Sequence, residues 1–303
     1  MTNKESNMNQ ANAMMGLLAQ TSIHAGTGQN TGVIDLPIQR EGHSGYPCVF
    51  GSGVKGALRS RAEALCDDKE SVSFVFGPST EKASDFAGAL MVSDARLLLL
   101  PIRSLTSQFK WVTCPDVLSR YLRDAERFGI ALDAPEAFVL STNEALVPEQ
   151  SASDSLFLEE YRFEATAKPL DGLISQLAEL MQRDDAVSVL EKQLVIISND
   201  MFAHLAQHGT PVNAHIAIDS ATGVVKPGAL WYEETLPPET LLYVGLSAVK
   251  ARSTANENAL PMPAQSVLST ITGLFAEKHW LQLGGNATVG MGWCSVKIVQ
   301  GVQ

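Results

Sequence analysis

Alternation of apolar with small or polar positions marks several extended segments. Met15, Leu17, Ala19, Thr21 and Ile23 predict a half-buried strand that ends at His24. Leu242, Val244, Leu246 and Ala248 repeat the pattern after Pro237-Pro238, and Met91 to Pro101 reads as another strand. Asn213 to Asp219 sets Ala214, Ile216 and Ile218 inward, turns at SATG and resumes at Val224, a hairpin signal. A last strand carries Cys294, Val296 and Ile298 on one face. The spacing changes to helical at Val54, Ala57, Leu58, Ala62 and Leu65, with Ser52 or Gly53 as an acceptable N-cap. Pro115 to Phe128 and Ser266 to Lys278 also predict helices. Helices and strands alternate irregularly, with hairpins and long insertions, and no repeat is visible. That order favours α+β with an antiparallel sheet over a doubly wound parallel one.

With 303 residues, 45% apolar and 18% charged, the chain can bury a sizeable core. Its first fourteen residues are polar and predict a disordered tail. The segment from Leu140 to Gln193 is acidic and mixed in pattern, and predicts a part peripheral to the main core. The longest apolar run, Leu97 to Ile102, is far below the roughly 18 to 20 residues that span a bilayer, which predicts a cytoplasmic protein without a membrane partner. Cys48, Cys66, Cys114 and Cys294 are far apart and read as free thiols in a reducing compartment.

A formal charge of −11 argues against a duplex-coating protein, because Lys and Arg make phosphate contacts. The sum hides an asymmetry. Between Leu36 and Leu65, Arg40, Lys55, Arg59 and Arg61 face only Glu41 and Glu63. Any polyanion site is therefore local.

Within that stretch, GSGVKGALRSR (Gly51 to Arg61) feeds a glycine-rich turn into a helix N-terminus, a setting suited to phosphate. Lys55 and Arg59 share one face; a solvated basic face with a glycine cap is the equal alternative. A P-loop fails, since Lys55 precedes Gly56 and no hydroxyl follows in register. HAGTGQNTGVID places His24 at a strand end and Asp35 beyond a loop in which Gly26, Gly28 and Gly32 permit positive φ. Such a pair can do proton chemistry or supply hydrogen bonds to a turn, the commoner case. In WYEE, Glu233 and Glu234 point oppositely if extended, so one faces a site and the other a solvated edge. His204 and His208, at i and i+4, lack a third metal ligand in register. GGNATVGMG is a close-approach loop or bend and opens no helix.

The ordered series HAGTGQNTGVIDLPIQRE, GSGVKGALRSR, FGPSTEKASDFAGALMVSDARLLLLPIRS, IAIDSATGVVKPGALWYEETLPP and LQLGGNATVGMGW resembles the RAMP superfamily. Over nearly the whole chain it is similar to the repeated backbone subunit of type III-B (Cmr) CRISPR effector complexes. VIDLPIQRE and GALWYEE are specific to that subunit type, while the glycine-rich loops are shared more widely. The resemblance implies a ferredoxin-like (RRM-like) palm forming one domain over 15–303, with a peripheral insertion at about 112–200 and a thumb hairpin at about 212–230. It implies several copies stacked head to tail in a helical filament, with other Cmr subunits, a guide CRISPR RNA and a complementary target RNA as partners. It also implies endoribonuclease activity at regular intervals along the target, where nucleotides are flipped out of the guide–target duplex. Catalysis then falls on Asp35, His24 and one of Glu233 and Glu234, with Asp35 holding Mg²⁺ or Mn²⁺. RNA contacts fall on Arg40, Gly51, Ser52, Gly53, Lys55, Gly56, Arg59, Gly284, Gly285 and Gly290. The competing reading is a non-catalytic, guide-coating structural subunit.

Overall fold

The structure is a computed structural model and describes residues 10–79, 86–133, 138–151, 156–252 and 261–301. Its strands are β1 (Gln10–Ala19), β2 (Cys48–Val49), β3 (Leu90–Val92), β4 (Ala95–Ser104), β5 (Gln108–Thr113), β6 (Glu144–Pro148), β7 (Leu156–Leu158), β8 (Tyr161–Lys168), β9 (Leu194–Ile197), β10 (Val212–Ile218), β11 (Val225–Glu234), β12 (Leu241–Val249), β13 (Trp280–Gln282) and β14 (Trp293–Gln300). Its helices are α1 (Gly51–Leu65), α2 (Lys69–Phe76), α3 (Pro115–Arg127), α4 (Asp171–Ala178), α5 (Ala186–Gln193), α6 (Asn199–His208) and α7 (Ala264–Gly273).

β14, β1, β12 and β4 lie side by side, each antiparallel to its neighbour. In chain order α1 falls between β1 and β4, and α7 between β12 and β14. This is the β-α-β-β-α-β order of a ferredoxin-like unit, and the α+β antiparallel expectation holds. Beyond β4 the sheet continues through β5, β9, β6, β8 and β7, with β5–β9 and β6–β8 parallel.

β1 and β12 are buried along almost their whole length rather than on one face. The physical reason is that both faces of the sheet are covered. α7 packs against β1 and β12 from one side. On the other, Tyr121 of α3 meets Tyr243 edge-on and the Tyr243 hydroxyl donates to Asp124 at 2.8 Å. A Cβ at Gly245 would strike the Phe128 ring at 2.0 Å, and one at Gly16 the carbonyl of Leu180 at 2.0 Å. Those two glycines admit the covering layer. Residues 112–200 therefore extend the sheet and roof its centre, and their apolar side chains belong to the same continuous core. The acidic composition of this segment lies on the outer faces of elements whose inner faces are apolar.

β1 begins at Gln10, inside the segment expected to be a tail, and ends at Ala19; the rest of that segment, 1–9, lies outside the described residues. Gln10 to Met14 pair with Val249 to Gly245, so backbone pairing compensates for polar composition. α1 starts at Gly51 with Phe50 as N-cap, rather than at Ser52 or Gly53, because the Asp94 carboxylate takes the Gly51 N–H at 2.7 Å. Its apolar stripe is buried at Val54, Leu58 and Ala62, while Leu65 is exposed. The expected strand Met91 to Pro101 is interrupted at Ser93-Asp94, and α7 ends at Gly273, short of Lys278. α3 falls on Pro115–Arg127 with Phe128 as C-cap. β10 and β11 form a two-stranded sheet of their own, as the hairpin pattern predicts, but Ile216 and Ile218 face outward and are exposed.

Candidate functional site

The loop that leaves β1 is sewn to the root of the hairpin. Ile23 bridges Leu236, Gly26 bridges Ile38, and Leu36 pairs in parallel with Glu233. His24, Asp35, Glu233 and Glu234 are thereby brought together on the last turns of β11.

His24 is buried, and its Nδ1 lies 2.8 Å from the carbonyl oxygen of Glu234. A carbonyl only accepts, so Nδ1 carries the proton and Nε2 is the free acceptor of the neutral ring. Nε2 lies under Gly26, where a Cβ would approach it to 2.6 Å. The Glu233 carboxylate stands 3.9 Å from Nδ1 and accepts from the Asn286 amide at 2.6 Å. Gly285 donates its N–H to the His24 carbonyl at 2.8 Å, and a Cβ at Gly284 would meet that carbonyl at 2.4 Å. The two glycines thus serve close approach of the closing loop to His24, while Gly290 takes φ +85° in open space. Of the three glycines in the His24 loop, only Gly28 takes a positive φ.

Asp35 sits one bridge away. Its Oδ2 accepts the backbone N–H of Tyr232 at 2.8 Å, and its carboxylate opens on a cavity of about 370 Å³ against the hairpin. The groups that hold Asp35 and His24, Tyr232 N–H and Glu234 C=O, are two residues apart on one strand, about 7 Å along it.

Glu234 turns the other way into a closed network. Its Oε1 accepts from Arg40 at 2.5 Å and Thr210 at 2.6 Å, and its Oε2 accepts the Ile38 N–H at 3.1 Å. Arg40 also donates to the carbonyls of Gly45 and Ala206 and to the Thr210 hydroxyl. Four of the five guanidinium donors are spent inside the protein. Opposite orientation of Glu233 and Glu234 follows from the extended backbone as anticipated. The solvated edge does not: both carboxylates are buried.

The α1 terminus is similarly occupied. Lys55 donates to the Leu90 carbonyl at 2.9 Å, and burial, with Arg59 nearby, lowers its pKa. Arg59 pairs with Glu63 and donates to the carbonyls of Gly77 and Pro78. Gly51 is glycine because a Cβ there would meet the Val92 carbonyl at 2.7 Å, whereas Ser52, Gly53 and Gly56 remain exposed. His204 and His208 meet at a tilt of 49°, ring centroids 4.7 Å apart, in a separate cleft, where His204 Nε2 is 2.9 Å from the Tyr161 hydroxyl. Among the described residues no three His, Cys, Asp or Glu side chains converge as a metal cage.

Sequence reasoning passes over Asn286. Its one signal is an asparagine following two glycines, the residue type that best tolerates the left-handed region; its φ is +59°.

A RRM-like sheet bearing a hairpin, with an imidazole and carboxylates at the hairpin root, defines the class. The chain belongs to the RAMP superfamily, whose model matches residues 17–295. It is 36% identical to the CRISPR system Cmr endoribonuclease Cmr4 of Pyrococcus furiosus over 289 residues, 94% of this chain and 95% of that one. A second relative, CRISPR system CMR subunit Cmr4 of Saccharolobus solfataricus, is 23% identical over 90% of this chain and 92% of its own. The crystal structure of oligomeric Cmr4 from Pyrococcus furiosus superposes with a TM-score of 0.74 at 27% identity, covering 97% of this chain and 99% of that one. A chain of the type III-B Cmr-β complex bound to cognate target RNA shares the fold at a TM-score of 0.72 and 20% identity, over 95% and 96% of the two chains. No helix among the described residues is long and apolar enough to cross a membrane.

Proposed function

We propose that this chain is the repeated backbone subunit of a type III-B CRISPR effector, binding guide RNA and cutting complementary target RNA. It assembles with copies of itself, other Cmr subunits and both RNAs, in the cytoplasm. The 36% identity to an endoribonuclease over nearly the full length supports the class. The observation that carries the chemistry is the tie between the Asp35 carboxylate and the hairpin root beside His24 and Glu233.

In this reading Asp35 takes the proton of the ribose 2′-hydroxyl, which attacks the adjacent phosphate. His24, held through Nδ1–H by Glu234 C=O beside the Glu233 carboxylate, orients the phosphate or protonates the leaving 5′-oxygen from the Nε2–H of its doubly protonated form. The products are a 2′,3′-cyclic phosphate and a 5′-hydroxyl. Alternatively Asp35, with Oδ2 on the backbone, would offer its second oxygen to a Mg²⁺ or Mn²⁺ ion in place of acting as the base. Such an ion supplies charge stabilisation at the phosphate. The hairpin at 212–230 is the thumb, and its exposed apolar face, with Ile216, Ile218 and Leu230, offers a surface for the neighbouring copy. The exposed backbone at Ser52, Gly53, Gly56, Gly284, Gly285 and Gly290, with Lys55 and Arg59 behind the α1 terminus, is the guide-RNA side; Arg40 and Gly51 support it from within.

The test is a cleavage assay with assembled complex, guide and complementary target, wild type against Asp35→Asn, with and without Mg²⁺. Evenly spaced cuts that vanish in the variant are expected. An uncut target that is still bound by the wild type would leave the guide-coating scaffold.

A further inference from the structure

On β11, Trp231 lies on the same face as Glu233, one residue pair closer to the hairpin tip. It pairs across the hairpin with His215, the two rings stacked at 15° with centroids 5.5 Å apart. That offset is ordinary for stacked rings. The His215 Nε2 is buried without a hydrogen-bond partner among the described residues. Trp231 lines the same cavity as Asp35. Gln29 and Asn30 furnish amides there, and at Gly228 a Cβ would meet nothing, so the mouth stays wide. The volume, about 370 Å³, falls within the roughly 300–1,000 Å³ of small-ligand pockets.

We propose that Trp231, held flat by His215, is the platform on which the target-RNA nucleobase beside the cut bond stacks, placing its ribose at Asp35. The inference rests on the endoribonuclease reading above and names the subsite that reading lacks. A flat aromatic surface is the appropriate device for a guide-programmed enzyme. Every base has a π-face, so stacking holds any target sequence, whereas hydrogen-bond readout would restrict it. The amides of Gln29 and Asn30 can donate or accept and adapt to either base class.

The assay uses the assembled complex with guide, single-turnover conditions, and targets carrying either a normal nucleotide or an abasic ribose beside the cut. Trp231→Phe keeps a smaller aromatic face and should retain much more of the rate than Trp231→Leu. Trp231→Leu keeps apolar bulk without the π-face and should lose about tenfold or more, with guide binding unchanged. The abasic target should suffer the same loss in wild type, and no additional loss in Trp231→Leu. A 2-aminopurine at that position, bound to the uncut Asp35→Asn complex, should be quenched, and the quenching should disappear when Trp231→Leu is added. Trp231→Leu cutting as fast as wild type, multiplying losses, or quenching that survives the leucine would each overturn the platform while leaving the nuclease intact. A wild-type complex that does not cut overturns the nuclease reading, and the platform with it.

Discussion

Asp35 accepts the backbone N–H of Tyr232 at 2.8 Å, so the carboxylate proposed to act on RNA is also a fastening between the His24 loop and the hairpin. Charge and fastening can be separated. Asp35→Asn keeps a carbonyl oxygen for the Tyr232 N–H but removes the base and the anionic ligand. Cutting should fall by at least about a hundredfold, the scale of a lost general base, with thermal stability and guide-RNA binding preserved. Asp35→Ala should lose both, with a melting temperature below that of Asp35→Asn. Calorimetry on the two variants beside the cleavage assay checks the distinction; equal stability would show that the fastening is idle.

Gly26 provides a second handle that changes no ionisable group. A Cβ there would stand 2.6 Å from His24 Nε2, and the ring has little freedom to yield because Nδ1 is held by the Glu234 carbonyl. Gly26→Ala should therefore cap the free nitrogen and slow cutting severely. The fold should survive, since Gly26 takes no positive φ that alanine would refuse. A variant that cuts at the wild-type rate would remove Nε2 from the mechanism.

The ferredoxin-like centre was legible because strand and helix periodicities there are strong. What periodicity could not give was the second layer: Gly16 and Gly245 look like weak points in strands until Leu180 and Phe128 are seen against them. At the site, His24, Asp35 and the two glutamates were legible as chemistry-bearing types on specific motifs. The partition between them was not, because it depends on contacts from Arg40 and Thr210 on one side and Asn286 on the other, up to 194 residues distant in sequence. Arg40 illustrates the limit. A basic residue in a locally basic stretch reads as a phosphate contact, yet its donors close an internal network.

That network predicts a division of labour between adjacent glutamates. Arg40→Ala leaves the buried Glu234 carboxylate without its cation and should cost about 3–5 kcal/mol of stability, as for other broken buried pairs. Glu234→Gln, which keeps the acceptor oxygen, should cost less, and its cutting rate per folded molecule should stay near wild type. Glu233→Gln should do the reverse: stability held by the surviving Asn286 contact, cutting reduced. Urea unfolding and single-turnover cleavage on the three variants would decide. A stable but inactive Glu234→Gln would exchange the two roles.

Buried thiols and phenols set the alkaline limit of the fold. Burial pushes Cys48 and Cys114 up to about 11 and Cys294 up to about 12, and raises Tyr46, Tyr121 and Tyr243 above the ordinary phenol value. An unfolded thiol ionises near about pH 8.5, so above that pH the unfolded chain releases protons that the native chain retains. Stability contributed by these groups is complete below that pH and is lost as pH rises toward 11 to 12. Lys55 and Lys110, lowered by burial, act in the opposite sense, because native chains lose those protons first. Two such groups oppose six, so the melting temperature should decline steadily from about pH 8.5 upward. The same burial fixes thiol reactivity at neutral pH. Cys66 is half-exposed and the other three cysteines are buried, so a maleimide should label the native chain once, at Cys66, and four times in denaturant. Rapid labelling of Cys114, the N-cap of α3, in the native chain would mean that the start of α3 opens readily, and the alkaline decline would then begin earlier and be shallower.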